Sequence, residues 1–326
     1  MARIPSKLAC FVLGVAVVLC RTPSATAQVW PDKPVRMIVA FTPGGLVDTI
    51  GRTLQPRLAE GLGQPVLVEN HGGAGGTIAE GMLAKARPDG YTILITADNP
   101  PANPHLYRDL SYDFFRDLLP VTMLVRVPLV LVVNPSVPVA SLADFVSYAR
   151  ARQGKFAYAS PGSGTSNHLS MEVLQRVAGI NPTHVPYKGG AQALADVIGG
   201  QVPCTLISIT LAAPQVRSGR LKAVAVTGDK RTPLLPQVPT FAEGGYLDFP
   251  QGSWSGLFVP AGTPAALVER LYGETAKAIR AHDVQDRLQE LGAETVMSSP
   301  TQFAAFLHAE SARIGELVRE NKITAD

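Results

Sequence analysis

The chain has 326 residues, 46% hydrophobic and 17% charged, a balance that excludes wholesale disorder and allows two domains with a substantial core. Lys and Arg number 29 against 26 Asp and Glu. Arg3, Lys7 and Arg21 fall in the first 27 residues and no acid does, so the remainder is balanced. It carries no overall basic field of the kind nucleic acid or a membrane surface would require.

Those first 27 residues read as an export signal. Arg3 and Lys7 form a positive start, and Leu8 to Leu19 is an apolar stretch too short to span a bilayer. Ala25-Thr26-Ala27 is a small-residue cleavage site, so a mature start at Gln28 is expected. Cys10 and Cys20 leave with the signal, and Cys204 remains alone in an apolar run. An exported chain with one cysteine forms no internal disulfide, and Cys204 is expected to be a buried, inert thiol.

Downstream, Val35–Phe41 is an apolar strand pattern, broken by Thr42-Pro43-Gly44-Gly45 and followed by a helical pattern over Leu46–Leu62. A strand that ends in a glycine turn and opens a helix aims free N–H groups outward, and the helix dipole makes that point attractive to an anion. Asp48, in the first helical turn, has two readings: a charge that offsets the dipole, or a contact to a ligand or its water.

A second strand pattern, Val66–Glu69, runs into Glu69-Asn70-His71-Gly72-Gly73-Ala74-Gly75-Gly76-Thr77 and a helix over Gly76–Ala86. This stretch lacks the Lys-Ser/Thr of a phosphate loop, and Ile78 stands where a dinucleotide fingerprint needs Gly or Ala. It reads as a ligand-side wall with close backbone approach. Thr92–Thr96 is the next strand, and punctuation then runs from Asn99 through Pro104 irregularly to Pro128.

Further strands are expected at Leu129–Val133, Phe156–Ser160, His184–Tyr187, Cys204–Ser208, Lys222–Thr227 and Gly256–Val259. Helices alternate with them at Leu142–Arg152, Ser166–Ala178, Ala191–Gly199 and Leu211–Ser218. The alternation predicts an α/β architecture with mainly parallel sheets flanked by helices. Between Phe156–Ser160 and the next helix lies Ser160-Pro161-Gly162-Ser163-Gly164-Thr165-Ser166-Asn167-His168. It repeats the strand–glycine–helix design and adds hydroxyl donors. His168 either bonds its own loop or meets a ligand.

A second punctuated zone, Thr232 to Gly252, precedes Trp254, which reads equally as interdomain packing or as a cleft wall. The C-terminal part predicts three helices in sequence, opened by Thr263-Pro264, Asp283 and Ser299-Pro300. Two punctuated zones flanking one unit predict a discontinuous first lobe, 28–128 with 250–326, and an inserted second lobe, 129–249.

Enzyme signals fail. No Gly-x-Ser-x-Gly elbow surrounds Ser163, and Gly252-Ser253-Trp254-Ser255-Gly256 centres on tryptophan. The six histidines are scattered without metal-ligand spacing, so no catalytic residue, metal or cofactor is assigned.

Taken together these motifs resemble the substrate-binding receptors of tripartite tricarboxylate transporters, the Bug receptors. The resemblance runs from Trp30 to Asp326. It includes Phe41-Thr42-Pro43-Gly44-Gly45-Leu46-Val47-Asp48, Gly73-Ala74-Gly75-Gly76-Thr77, Pro88-Asp89-Gly90-Tyr91 and Asn103-Pro104-His105-Leu106-Tyr107. The loop from Ser160 to Leu169, Val185-Pro186-Tyr187-Lys188-Gly189, Gly199-Gly200-Gln201-Val202 and Pro260-Ala261-Gly262-Thr263-Pro264 continue it.

The resemblance implies a two-lobed type II periplasmic binding protein fold. It further implies a periplasmic, monomeric receptor, not an enzyme, that closes on a small organic carboxylate and delivers it to a membrane permease. The implied ligand-binding set is Phe41, Thr42, Gly44, Gly45, Asp48, Asn99, Ser160, Gly162, Gly164, Thr165, Ser166 and His168. Thr42 replaces a frequent proline, and Pro203 and Ile207 stand where the family usually carries acidic residues. A receptor that signals to a sensor protein is the alternative function, and a secreted hydrolase a more distant one.

Overall fold

The computed structural model describes residues 30–324 with the exception of 248 and 322, so the export signal and its cleavage site lie outside the described residues. Among the described residues eleven strands and eleven α-helices follow one another, and the strands form two sheets. The first contains β1 (Val35–Val39), β2 (Val66–Asn70), β3 (Thr92–Thr96), β4 (Leu118–Val127), β10 (Ser253–Pro260) and β11 (Glu294–Thr295), in the order β11-β4-β10-β3-β1-β2. The second contains β5 (Leu129–Val133), β6 (Ala157–Ser160), β7 (Thr183–Pro186), β8 (Cys204–Ser208) and β9 (Lys222–Val226), in the order β7-β6-β8-β5-β9.

Both sheets are mixed. In the first, β1 pairs in parallel with β2 and β3, while β10 runs antiparallel to β3 and β4. In the second, β6 is parallel to β7 and β8, while β5 runs antiparallel to β8 and β9. The antiparallel strands are the crossing strands, because a chain passing from one sheet to the other enters it reversed. β4 gives way to β5 across the single residue Pro128, and the return connection ends at β10. The crossings lie side by side: a Cβ on Gly252 would stand 2.6 Å from the Val127 carbonyl oxygen.

β4 is absent from the sequence prediction. Its Pro120 faces Phe258, in a stretch where the pairing with β10 slips register. Proline removes a ladder donor and is tolerated at such irregularities, so it masks a ten-residue strand when read alone.

β5 shows why the sheets are covered on both sides. Leu129, Leu131 and Val133 enter one core, and Val130 and Val132 enter the other. That is the period of two expected of a strand, with both faces buried. The first core fills the first sheet under α1 (Leu46–Leu62), α9 (Ala265–Arg280) and α10 (His282–Glu290) and reaches the facing side of the second. The last helix, α11 (Pro300–Asn321), spans both cores. Phe303 and Leu307 pack in the first, and Ile314, Leu317 and Val318 in the second. Trp254 is buried edge-on against Phe303 and Phe306 of this helix. Cys204 is fully buried, and that burial raises its thiol pKa, which keeps it protonated.

Candidate functional site

The sheets meet where several helices begin. α1 starts after β1, α6 (Ser166–Ala178) after β6, α7 (Gly190–Ile198) after β7 and α8 (Ile209–Arg217) after β8. Their starts surround a small cavity of about 30 Å³ lined by Phe41, Gly45, Leu46, Thr165, Gly190 and Ser208 among others. Room for about two waters fits such a volume.

The first predicted loop turns at Gly44, whose φ of +78° suits glycine. Gly45 is the N-cap of α1 in extended conformation and offers no side chain to cap the first-turn amides. Those amides have no partner within the helix. The hydroxyl oxygen of Thr42 is buried without a partner. Phe41 is held from behind, its carbonyl accepting from Asn70 Nδ2 at 3.0 Å.

Asp48 is buried. One carboxylate oxygen accepts from the Gly44 amide at 2.9 Å. The other accepts from Arg52 Nε at 2.9 Å and Asn70 Nδ2 at 3.0 Å. These three bonds tie the Asp48 carboxylate to the shape of the loop.

The second predicted loop has the same plan and the opposite outcome. Thr165 caps α6, accepting from the His168 amide at 3.4 Å. The Gly164 amide donates to His168 Nδ1 at 3.1 Å, and the Gly162 amide to Ser160 Oγ at 3.1 Å. The Ser166 amide donates to Asp98 at 2.8 Å. Asp98 also accepts from the Ser253 hydroxyl and from the Trp254 amide at 3.4 Å, so a carboxylate borne by the first sheet occupies the start of a helix on the second. Burial raises the Asp98 pKa above the usual carboxylate range. His168 is buried and stacks on His184 at 4.1 Å. Burial, with the neighbouring His184, pushes its pKa down to about 3, so it is neutral and serves as an acceptor for the loop.

Asn99 lies off the cavity. Its amide donates to the Gly75 carbonyl and to Glu80 Oε1 at 2.7 Å. Glu80 is fully buried and also accepts from Asn103 and Tyr112. Burial pushes its pKa up to about 7, opposed in part by those hydrogen bonds. This cluster props the third glycine stretch, where a Cβ on Gly75 (φ +57°) would stand 2.5 Å from the Ser163 carbonyl oxygen. The close backbone approach at this stretch is to the Ser163 carbonyl of the second loop.

Two contributors were missed. α7 begins at Gly189-Gly190 with no side-chain cap, and a Cβ on Gly45 would lie 4.0 Å from the Gly190 amide nitrogen. The starts of α1 and α7 thus face each other. Ser208, the N-cap of α8, is buried with an unpartnered hydroxyl. The signal for α7 was available: Lys188-Gly189-Gly190 after a strand repeats the design of the first loop. Two opposed uncapped helix starts at a cavity lined by no charged side chain suit a small anion. A larger cavity of about 730 Å³ lies beyond the Asp98–Ser253 contact, between α6 and α11, and does not include the first loop.

The model of the tripartite tricarboxylate transporter family receptor matches residues 50–323. Among solved structures, the periplasmic binding protein BugD is 33% identical with a TM-score of 0.87, covering 91% of this chain and 100% of its own. Rpa4515 of R. palustris, solved with adipate, is 36% identical with a TM-score of 0.87, covering 90% and 99%. MatC of Rhodopseudomonas palustris, solved with bound malate, is 34% identical with a TM-score of 0.84, covering 88% and 99%.

Proposed function

The chain belongs to the tripartite tricarboxylate transporter family of receptors, periplasmic solute-binding proteins of the Bug type, and from that premise we propose that it captures one small organic carboxylate between its lobes. The observation that supports this most directly is the opposition of two uncapped helix starts, at Gly45 and Gly190, across the interlobe cavity. A carboxylate placed there accepts from first-turn amides on both sides and closes the lobes on itself.

Each charge-assisted bond is worth about 1.5–3 kcal/mol, and exclusion of water strengthens it, so about four to six of them support micromolar binding after entropic losses. The lobes, 28–128 with 250–326 and 129–249, separate to admit an organic acid, because a cavity of about 30 Å³ is too small for one. Phe41, Thr42, Gly44 and Gly45 form the first jaw. Asp48 positions that jaw. Ser160, Gly162, Gly164, Thr165, Ser166 and His168 hold the second loop in shape, and Asn99 supports the loop at Gly75. The receptor is exported by cleavage after Ala27, catalyses no turnover, and passes its ligand to the permease of a tripartite transporter.

Calorimetry and thermal denaturation with a panel of mono-, di- and tricarboxylates test this. At least one acid stabilises the protein and binds at micromolar concentration. A panel with no binder overturns the reading.

A further inference from the structure

We infer that the ligand carries a single carboxylate on an apolar body, and that Ser208 supplies a hydroxyl contact to it. The inference rests on the carboxylate-receptor reading and narrows its substrate class.

The cavity between the helix starts has no charged side chain in its lining. Its walls are largely apolar: Leu46, Val47, Ala97, Leu129, Ile207 and Leu211. Four polar side chains share the lining: Thr165, Asn167, Ser208 and Ser253. Three are engaged. Thr165 Oγ1 donates to the Gly162 carbonyl at 2.8 Å, Asn167 Nδ2 to the Leu206 carbonyl at 2.8 Å, and the Ser253 hydroxyl to Asp98. Ser208 is 3% exposed and its Oγ has no partner among the described residues. A buried hydroxyl is normally satisfied, so this one stands in reserve for a ligand oxygen.

The nearby charges are committed elsewhere. Asp48 is tied to Gly44, Arg52 and Asn70, and Asp98 to Ser166, Ser253 and Trp254. His168 is neutral and faces the second loop's own backbone.

The donors and the apolar wall meet at Gly190. A Cβ there would lie 3.0 Å from Leu211 Cδ1 and 3.2 Å from Ile207 Cδ1. A carboxylate on the α7 start therefore directs the rest of its molecule along Leu129, Ile207 and Leu211. An alkyl or aryl body gains by leaving water there. Within that lining a second carboxylate meets no cation and no unpartnered side-chain donor beyond Ser208, and an unpaired buried charge is excluded or neutralised.

Hexanoate and adipate, matched at six carbons, separate the cases by calorimetry. Hexanoate is expected to bind about 100-fold more tightly than adipate, the loss set by an unpaired buried charge. Ser208→Ala weakens hexanoate about tenfold with unchanged melting temperature, because no internal hydrogen bond is lost. Leu211→Arg, at a partly exposed position, strengthens adipate about tenfold by pairing its distal carboxylate. Adipate binding as tightly as hexanoate to the unaltered protein overturns the single-carboxylate inference and leaves the receptor reading standing. Unchanged hexanoate affinity in Ser208→Ala removes the Ser208 contact. Failure of every carboxylate in the wider panel overturns the receptor reading itself.

Discussion

Helices α1 and α6 begin in the same way and finish with opposite chemistry at their first turns. Each follows a strand and a loop containing two glycines. At α1 the N-cap is Gly45, and the loop's carboxylate, Asp48, is turned back onto Gly44. The first-turn amides stay available. At α6 the N-cap is Thr165, and His168, Ser160 and Asp98 consume the amides of Gly164, Gly162 and Ser166. Hydroxyl and imidazole groups that look like ligand donors in a loop are equally good partners for the loop itself. A helix start is an open anion site when its neighbours lack the means to cap it.

The most direct way to break this contrast is to give α1 a cap. Gly45 sits at φ −79°, ψ 176°, a conformation that suits an N-cap aspartate. Gly45→Asp is expected to raise stability by about a few tenths of a kcal/mol while lowering carboxylate affinity at least about 100-fold, since the protein's own anion takes the site. Chemical denaturation and calorimetry check the pair of effects. Unchanged affinity would mean that α1 is not a jaw.

The supports behind the loops respond to pH. Glu80 has its folded pKa raised to about 7 from 4.5, so the folded protein holds a proton that the unfolded chain has lost. That contribution is complete below about pH 4.5 and is lost as pH rises through 7. At about 1.4 kcal/mol per unit, it amounts to a fall of about 3 kcal/mol. His168, with a pKa lowered to about 3, has the opposite sign, its stability being present above about 6.5 and lost as pH falls. The Glu80 part is therefore read as the difference between the natural protein and Glu80→Gln, in which the His168 slope cancels. A difference that is flat from pH 4.5 to 7.5 would contradict the buried neutral carboxyl.

Removing the carboxylate at the start of α6 costs somewhat less. Asp98→Ala strands the Ser166 amide and the Ser253 hydroxyl and is expected to lower stability by about 2 kcal/mol. If the second loop is self-contained, ligand affinity changes less than about threefold. A large gain in affinity would instead show that Asp98 competes with the ligand. Asp48→Ala has the smallest expected effect on stability, about 1 kcal/mol, because Arg52 beside it is half exposed. It relaxes Gly44 and lowers affinity through the shape of the first jaw, which titration of the variant checks.

Local pattern carried much of the architecture. The helix over Leu46–Leu62 and the helix over Ser166–Ala178 were both legible from periodicity, and both are found with the same ends. β4 was not legible, since Pro120 and its punctuated approach outweigh an apolar run whose partner, β10, lies more than a hundred residues away in sequence. In the site, the first loop stood out because its signal is compact: strand, glycines, helix. Ser208 carried no signal, because a serine ending an apolar strand is unremarkable until its hydroxyl is seen to lack a partner.

What the sequence by itself determined is the set of strands and helices with recognisable ends, the export signal as an expectation, and the glycine turns that open helices. These depend on residues within a few positions of one another, through apolar period and backbone freedom. Only the tertiary structure decided which of those turns remain open. Asp98 reaches Ser166 across 68 residues, and Gly190 comes to face Gly45 from the other sheet. Whether an amide is free depends on every group that folding brings near it, and the near groups here come from distant parts of the chain.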